Sequence, residues 1–199
     1  MTTVPATLDA RFRAAARDAG LVDVAYDLVD SPVGTLLLAA TQRGLCRVSF
    51  DPEPEREEER LARAFGVRVL RAPLDEPKRE LDEYFAGRRR SFELPVDLAL
   101  ARDFGRAVLA ELARVPVGRT TTYGALAARA GRPRAARALG TIMNRNPVPI
   151  VLPCHRVVGS TGALVGYGGG LERKVTLLRH EGVLVSDAPP AERVPLPLL

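Results

Sequence analysis

Glycine and proline punctuate the second half of this chain into a run of short helices. Asp103 to Arg114 carries Phe104, Val108, Leu109 and Leu112 on one stripe, and Val115-Pro116-Val117-Gly118 closes it. Thr122 is placed to cap a second helix, Tyr123 to Ala130, which Gly131 stops. Pro133 suits the first turn of a third, running to about Arg145. Helices this short hold only by packing on one another. Two of them across a tight glycine-containing turn give a helix-turn-helix pattern, which an αα-hairpin that binds nothing shares. A Gly-rich loop at 163–170 and an amphipathic helix from Leu171 to Glu181, stopped by Gly182, complete this half.

The first half has the other periodicity. Residues 22–29, 34–40 and 43–50 read as strands separated by Ser31-Pro32-Val33-Gly34 and Thr41-Gln42-Arg43-Gly44, so an antiparallel meander follows. Before them, Leu8, Phe12, Ala15 and Ala16 share a helical face. The Pro- and Glu-rich Asp51 to Glu59 reads as a surface loop leading into a helix through Phe65. Residues 66–71 suit a further strand, and 75–86 a helix ended by Gly87. Arg88 to Leu100 reads as a connector with one short strand near Phe92. The expected division is an extension over 1–20, an α/β domain over 21–100, a helix-turn-helix domain over 101–186 and a Pro-rich tail over 187–199.

Charge separates the same two halves. Residues 1–100 hold 15 Lys/Arg against 18 Asp/Glu, and residues 101–199 hold 14 against 6. A basic half suits a phosphate backbone, and it also suits an ordinary soluble surface. No apolar run approaches the ~18 residues of a membrane span, and the N-terminus has no secretory apolar core. With only Cys46 and Cys154, a disulfide scaffold is unsupported, so a cytoplasmic protein with reduced thiols and no membrane contact is expected.

The chemistry concentrates in Val151-Leu152-Pro153-Cys154-His155-Arg156-Val157, which joins one of two cysteines to one of two histidines. The apolar residues ahead of the pair read as a short buried strand delivering it to a turn. A thiol beside an imidazole is the minimum for an activated sulfur nucleophile. Neighbouring strand side chains point apart, so a bridging water or a sharp turn is expected between sulfur and ring. The candidate recognition helix, Pro133 to Gly140, offers Ala135, Ala136, Ala138 and Gly140, which carry almost no base code. That suits a sequence-independent binder packed closely into a groove, with Arg137 reaching into the base stack. An Ala-rich packing helix with a solvent-facing arginine reads equally well. An enzyme acting on a base must take it out of the stack, and an arginine filling the gap offsets part of that cost.

Residues 103–182 resemble the O6-alkylguanine-DNA alkyltransferases, or methylated-DNA–protein-cysteine methyltransferases. The matching pieces begin with Val115-Pro116-x-Gly118-x-Thr120-Thr121-Thr122-Tyr123-Gly124 and Arg132-Pro133-Arg134-Ala135-Ala136-Arg137-Ala138-Leu139-Gly140. Asn144-Arg145-Asn146-Pro147-Val148-Pro149-Ile150 and Pro153-Cys154-His155-Arg156-Val157 follow. Gly166-Tyr167-x-Gly169-Gly170-Leu171 and Leu177-Leu178-x-His180-Glu181-Gly182 complete the series, in the family's order and spacing. In the first hundred residues the resemblance is weaker, mainly Ser31-Pro32-x-Gly34.

The resemblance implies an α/β fold, with a small ribonuclease-H-like sheet domain followed by a winged helix-turn-helix domain that carries the active site. It implies direct, irreversible transfer of an alkyl group from O6 of guanine, and from O4 of thymine, to Cys154. His155 is then the base, Glu181 holds its far ring nitrogen, Tyr123 protonates the departing guanine, and Asn146 fixes the turn before the cysteine. Arg137 stands in for the extruded nucleotide, with Arg134, Ala135, Ala136, Gly140 and Thr122 along the DNA. Tyr167, Gly168, Pro149 and Val157 line the base pocket. The implied partner is double-stranded DNA approached from the minor groove, by a monomer or by copies clustered along the duplex, with no cofactor.

Three features depart from the family pattern. Some members hold zinc in the first domain, but residues 1–150 offer only Cys46 and no histidine, so no metal site is expected there. Thr176 stands where many relatives carry a bulky aromatic, which would alter packing beneath the pocket. Gly168 replaces the usual serine or alanine. Other readings are an alkyl-lesion binder without transfer, a cysteine hydrolase and a winged-helix regulator. Cys154 argues against the first, the adjacency of base and nucleophile against the second, and the alanine-rich helix against the third.

Overall fold

The computed structural model describes residues 6–183; Met1–Pro5 and the Pro-rich tail at 187–199 lie outside the described residues. The chain divides into two compact units, Met1–Arg102 with Pro147–Val151, and Asp103–Asn146 with Leu152–Leu199. A single boundary near residue 100 does not anticipate the return of 147–151 to the first unit.

The first unit contains α1 (Ala6–Asp18), β1 (Val24–Val29), β2 (Leu36–Thr41), β3 (Gly44–Phe50), α2 (Pro54–Phe65), β4 (Val69–Arg71) and α3 (Asp75–Phe85). The sheet order is β3-β2-β1-β4. The three expected strands form the antiparallel meander, and β4 joins β1 in parallel after the α2 crossover. Leu36, Leu37 and Leu38 are all fully buried, so β2 is covered on both faces. One face packs Val24, Tyr26, Leu37, Ala39 and Cys46 against Leu61 of α2. Each such leucine contributes about 1.5–3 kcal/mol of burial. Cys46 belongs to this packing. Its Sγ donates to the Ala39 carbonyl at 3.3 Å, and burial pushes the thiol up to about 12.

The strand expected near Phe92 does not form. Phe92 instead sits 5.3 Å from the Tyr84 ring, and residues 95–97 run beside β3 as a single parallel bridge, Leu45 to Val96. Gly44 permits that approach, because a Cβ there would lie 2.2 Å from the Pro95 carbonyl oxygen. On α1, Arg13 and Arg17 donate to the carbonyls of Arg71 and Pro73. The face with Leu8 and Phe12 points outward, Phe12 being 70% exposed.

The second unit contains α4 (Asp103–Ala113), β5 (Thr121–Thr122), α5 (Tyr123–Arg129), α6 (Ala136–Asn144), β6 (Val157–Val158) and α7 (Leu171–His180). The stripe read from the sequence is the one that packs. Val108, Leu109 and Leu112 of α4 are buried, as are Leu126 of α5, Leu139 and Met143 of α6, and Leu177 and Leu178 of α7. Thr122 caps α5, its hydroxyl oxygen accepting from Ala125 N at 3.1 Å. Thr122→Ala is expected to cost about 1 kcal/mol, read as a lowered midpoint in urea denaturation with an unchanged slope.

The structure departs from two local expectations. Pro133 lies ahead of α6, not in its first turn: Ala135 N donates to Arg132 O at 2.9 Å, closing a turn in which proline takes the second position. The residues before Cys154 are not a strand. Pro147, Pro149 and Pro153 have no N–H to give a ladder, and Ile150 turns back with φ +75°. Cys154–Arg156 is instead one turn of 3₁₀ helix, held by Cys154 N to Leu152 O at 2.8 Å and Arg156 N to Pro153 O at 2.9 Å. After it, β6 pairs with β5 in parallel.

Candidate active site

The 3₁₀ turn decides which way the reactive side chains face. In a strand, Cys154 and His155 would lie on opposite sides; here both sit in one tight turn and both are buried. Asn146, just past the end of α6, reaches this turn with one amide nitrogen. Its Nδ2 donates to Leu152 O at 2.7 Å and to Cys154 Sγ at 3.1 Å. The residue expected only to fix the turn therefore also touches the sulfur. Burial holds the Cys154 thiol above its ordinary range, while the Asn146 hydrogen bond, the Lys174 charge and the neighbouring Tyr167 pull the other way. The resting group is a thiol surrounded by donors that favour its anion.

His155 is completely buried, and its Nε2 lies 2.8 Å from Glu181 Oε1. Glu181 follows the last turn of α7 and is buried as well. Burial alone would raise its carboxyl; hydrogen bonds from His155 and Arg156 outweigh that and hold it down at about 2. A carboxylate can only accept, so Nε2 carries the proton and Nδ1 presents the lone pair in the neutral ring. Nδ1 is buried and makes no hydrogen bond to the described protein atoms. Burial also lowers His155 below its ordinary range, against the pull of Glu181, which keeps the ring neutral and able to accept a proton.

Two functional side chains escaped the sequence reading. Arg156 is buried and grips Glu181 with both ends of its fork, Nε to Oε2 at 2.9 Å and Nη2 to Oε1 at 2.7 Å, while Nη1 donates to the Val115 carbonyl. Lys174 is 0% exposed and donates to the carbonyls of Val157 at 2.6 Å and Val165 at 2.9 Å. Burial lowers its ammonium to about 8, against the attraction of Cys154. The available signal was position. Lys174 lies on the apolar side of α7 between Leu171 and Leu178, and it is one of only two lysines among 29 basic residues.

The remaining expected residues are placed as follows. Tyr123 opens α5; burial and the charge of Cys154 raise its phenol, so it stays a proton donor. Tyr167 is buried near the sulfur, where it favours the thiolate. Val157 is buried in β6, with its carbonyl taken by Lys174. Gly168 is exposed, and a Cβ there would meet Asn144 O at an ordinary 3.5 Å, so space alone does not require glycine. Pro149 is buried within Pro147–Val151, in the first unit. Arg137 and Arg134 are exposed at the start of α6, with Ala135, Ala136 and Gly140 half-buried beside them. Thr176 is exposed, its hydroxyl donating to Glu172 O, so the expected change of packing beneath the pocket does not occur. Among the described residues no helix is long and apolar enough to cross a membrane.

Known proteins match over both units. Residues 103–183 match the family profile described as the 6-O-methylguanine DNA methyltransferase DNA binding domain, and residues 24–98 match the ribonuclease-like domain of the same family. The methylated-DNA–protein-cysteine methyltransferase of Methanosarcina barkeri is 40% identical, over 78% of this chain and 96% of its own. Its counterpart from Mycobacterium leprae is 40% identical over 77% and 89%. The crystal structure of Mycobacterium tuberculosis OGT in complex with DNA aligns with a TM-score of 0.68 at 35% identity, covering 79% of this chain and 93% of that one.

Proposed function

The chain belongs to the 6-O-methylguanine-DNA methyltransferase family and repairs DNA by moving an alkyl group onto a protein cysteine; from that premise we propose that Cys154 is the acceptor, working with His155 and Glu181. The observation that carries this reading is that the bonds Asn146–Cys154 and His155–Glu181 meet at one buried turn, with the basic nitrogen of His155 left for a proton. Cys154 gives its proton to His155 Nδ1, across the turn or through one water. The sulfur attacks the alkyl carbon in line, the C–O6 bond breaks, and the electron pair leaves with the guanine. Tyr123 supplies the proton that guanine takes up. Asn146 and Lys174 stabilise the developing thiolate, and Tyr167 with Gly168 walls the base.

The product is a thioether, which gives water no leaving group to displace, so each chain acts once. Intact mass after incubation with excess O6-methylguanine duplex tests this: one methyl per chain supports it, and continued release of repaired DNA beyond one equivalent overturns it. The same chemistry extends to O4-alkylthymine. Residues 21–100, joined by 147–151, serve as the sheet domain and the rest of the described chain from 101 as the reacting domain, which acts as a monomer. The exposed arginines and small residues at and just before the start of α6 meet DNA in the minor groove without a base code, and Arg137 fills the space of the extruded base.

Arg137→Ala is therefore expected to slow repair of an O6-methylguanine duplex at least about tenfold, the equivalent of the few kcal/mol that unstacking costs being only partly offset. Reaction with free O6-alkylguanine should change less than about twofold. Single-turnover rates on the two substrates decide it, and equal losses on both would defeat the gap-filling role.

A further inference from the structure

The carboxylate of Glu181 is shared by His155 and Arg156, and their bonds to it are unevenly divided. His155 reaches it through one nitrogen, while Arg156 reaches both oxygens. All three side chains are buried, so solvent shares none of the charge. A carboxylate facing a buried imidazole alone would draw a proton onto the ring, and an imidazolium cannot take the proton of Cys154. A fixed guanidinium on the same carboxylate removes that pull, because it cannot give up its own proton. We infer that Arg156 is a positioning residue that takes up the charge of Glu181, so that the carboxylate orients His155 without protonating it. The inference rests on the reading of His155 as the base for Cys154.

The surroundings of the ring agree. The charged and titratable groups about it are Lys174 from α7, Glu181 just past the end of α7, and Cys154 and Arg156 from its own turn. With both cations present, one carboxylate stands against two positive charges, and a third on the ring is unfavourable. Without Arg156, the carboxylate and Lys174 balance, and the bond from His155 to Glu181 is no longer shared with a guanidinium. Arg156 also fastens the turn to the Val115 carbonyl, so its loss has a structural component that must be told apart.

Single-turnover transfer from an O6-methylguanine duplex would be followed from about pH 5.5 to pH 9 for the parent, Arg156→Gln and Arg156→Lys. The protonation of the His155 ring would be read by ¹H–¹⁵N NMR in the same proteins carrying His180→Gln, which leaves one imidazole. In the parent, the ring should stay neutral with hydrogen on Nε2 to well below the ordinary histidine range. In Arg156→Gln its titration should move up by at least about one pH unit, and the acid limb of the rate should move with it. The rate would then fall about tenfold near pH 6 and recover to within about twofold of the parent near pH 9. Arg156→Lys, which keeps a cation, should restore the limb. A loss from Arg156→Gln that is equal at every pH would overturn the inference. So would a parent ring that titrates at or above the ordinary range, a result that needs no variant to fold. If the parent transfers no methyl to Cys154, the active-site reading falls, and the NMR titration alone then decides the role of Arg156.

Discussion

Serine in place of Cys154 is expected to lower alkyl transfer from an O6-methylguanine duplex by at least about a thousandfold, with duplex binding retained. The loss is chemical, not architectural. The side chain loses no carbon, the Asn146 amide can donate to a hydroxyl as it does to sulfur, and the 3₁₀ turn rests on backbone bonds from Cys154 and Arg156 that serine leaves intact. What disappears is a thiol whose anion is accessible and soft towards saturated carbon. Thiols lose their proton near pH 8.5; burial holds this one higher, and the Asn146 amide, the Lys174 charge and the neighbouring Tyr167 favour the anion against that burial. No comparable help brings an alcohol into range. Peptide mapping of the reacted parent should place the methyl on Cys154 and none on Cys46, whose thiol is packed in the sheet and held near 12. Methyl on Cys46, or transfer surviving in the serine variant, would remove Cys154 from its assigned role.

The reactive pair was legible from the sequence because adjacency of a rare cysteine and a rare histidine needs no fold to be noticed. Its geometry was not. The hydrophobic run before Cys154 has the composition of a strand, and composition carried the expectation; three prolines without N–H groups and a left-handed Ile150 decide the backbone instead. The strands of the first unit and the stripes of α4 and α7 were readable, since alternation and helical periodicity report directly on which face is buried. Pairing across the chain was not readable. The parallel join of β4 to β1 and the passage of 95–97 beside β3 are set by contacts that no local window contains. The same limit hid Arg156. One residue from the histidine, it shows no partner in the sequence around it, and only the fold brings Glu181 across 25 and 26 positions to meet Arg156 and His155.

That buried meeting carries a large stability effect. Glu181→Ala leaves the guanidinium of Arg156 in a dry site, bonded to the Val115 carbonyl but without its counter-charge, and breaking one side of a buried ion pair costs about 3–5 kcal/mol. A protein of ordinary stability would lose a large share of its total. Glu181→Gln keeps the shape and one acceptor oxygen, so it should lose less, and comparing the two separates charge from packing. The dependence on pH follows from where the carboxyl titrates. Its ordinary value is 4.5 and the fold holds it at about 2, so the unfolded chain takes up the proton first as pH falls. The charge therefore stabilises the fold fully above about pH 4.5, and its contribution is lost as pH falls towards 2. His155 acts in the same direction from higher pH, because its folded value is depressed and the unfolded ring is protonated first. Urea denaturation at about pH 7, 5 and 3.5 should show the parent ahead of Glu181→Gln by a constant margin in the first two and by a narrower one in the third. A margin that stays fixed down to about pH 3.5 would mean that the carboxylate is not the charged partner of Arg156 in the folded protein.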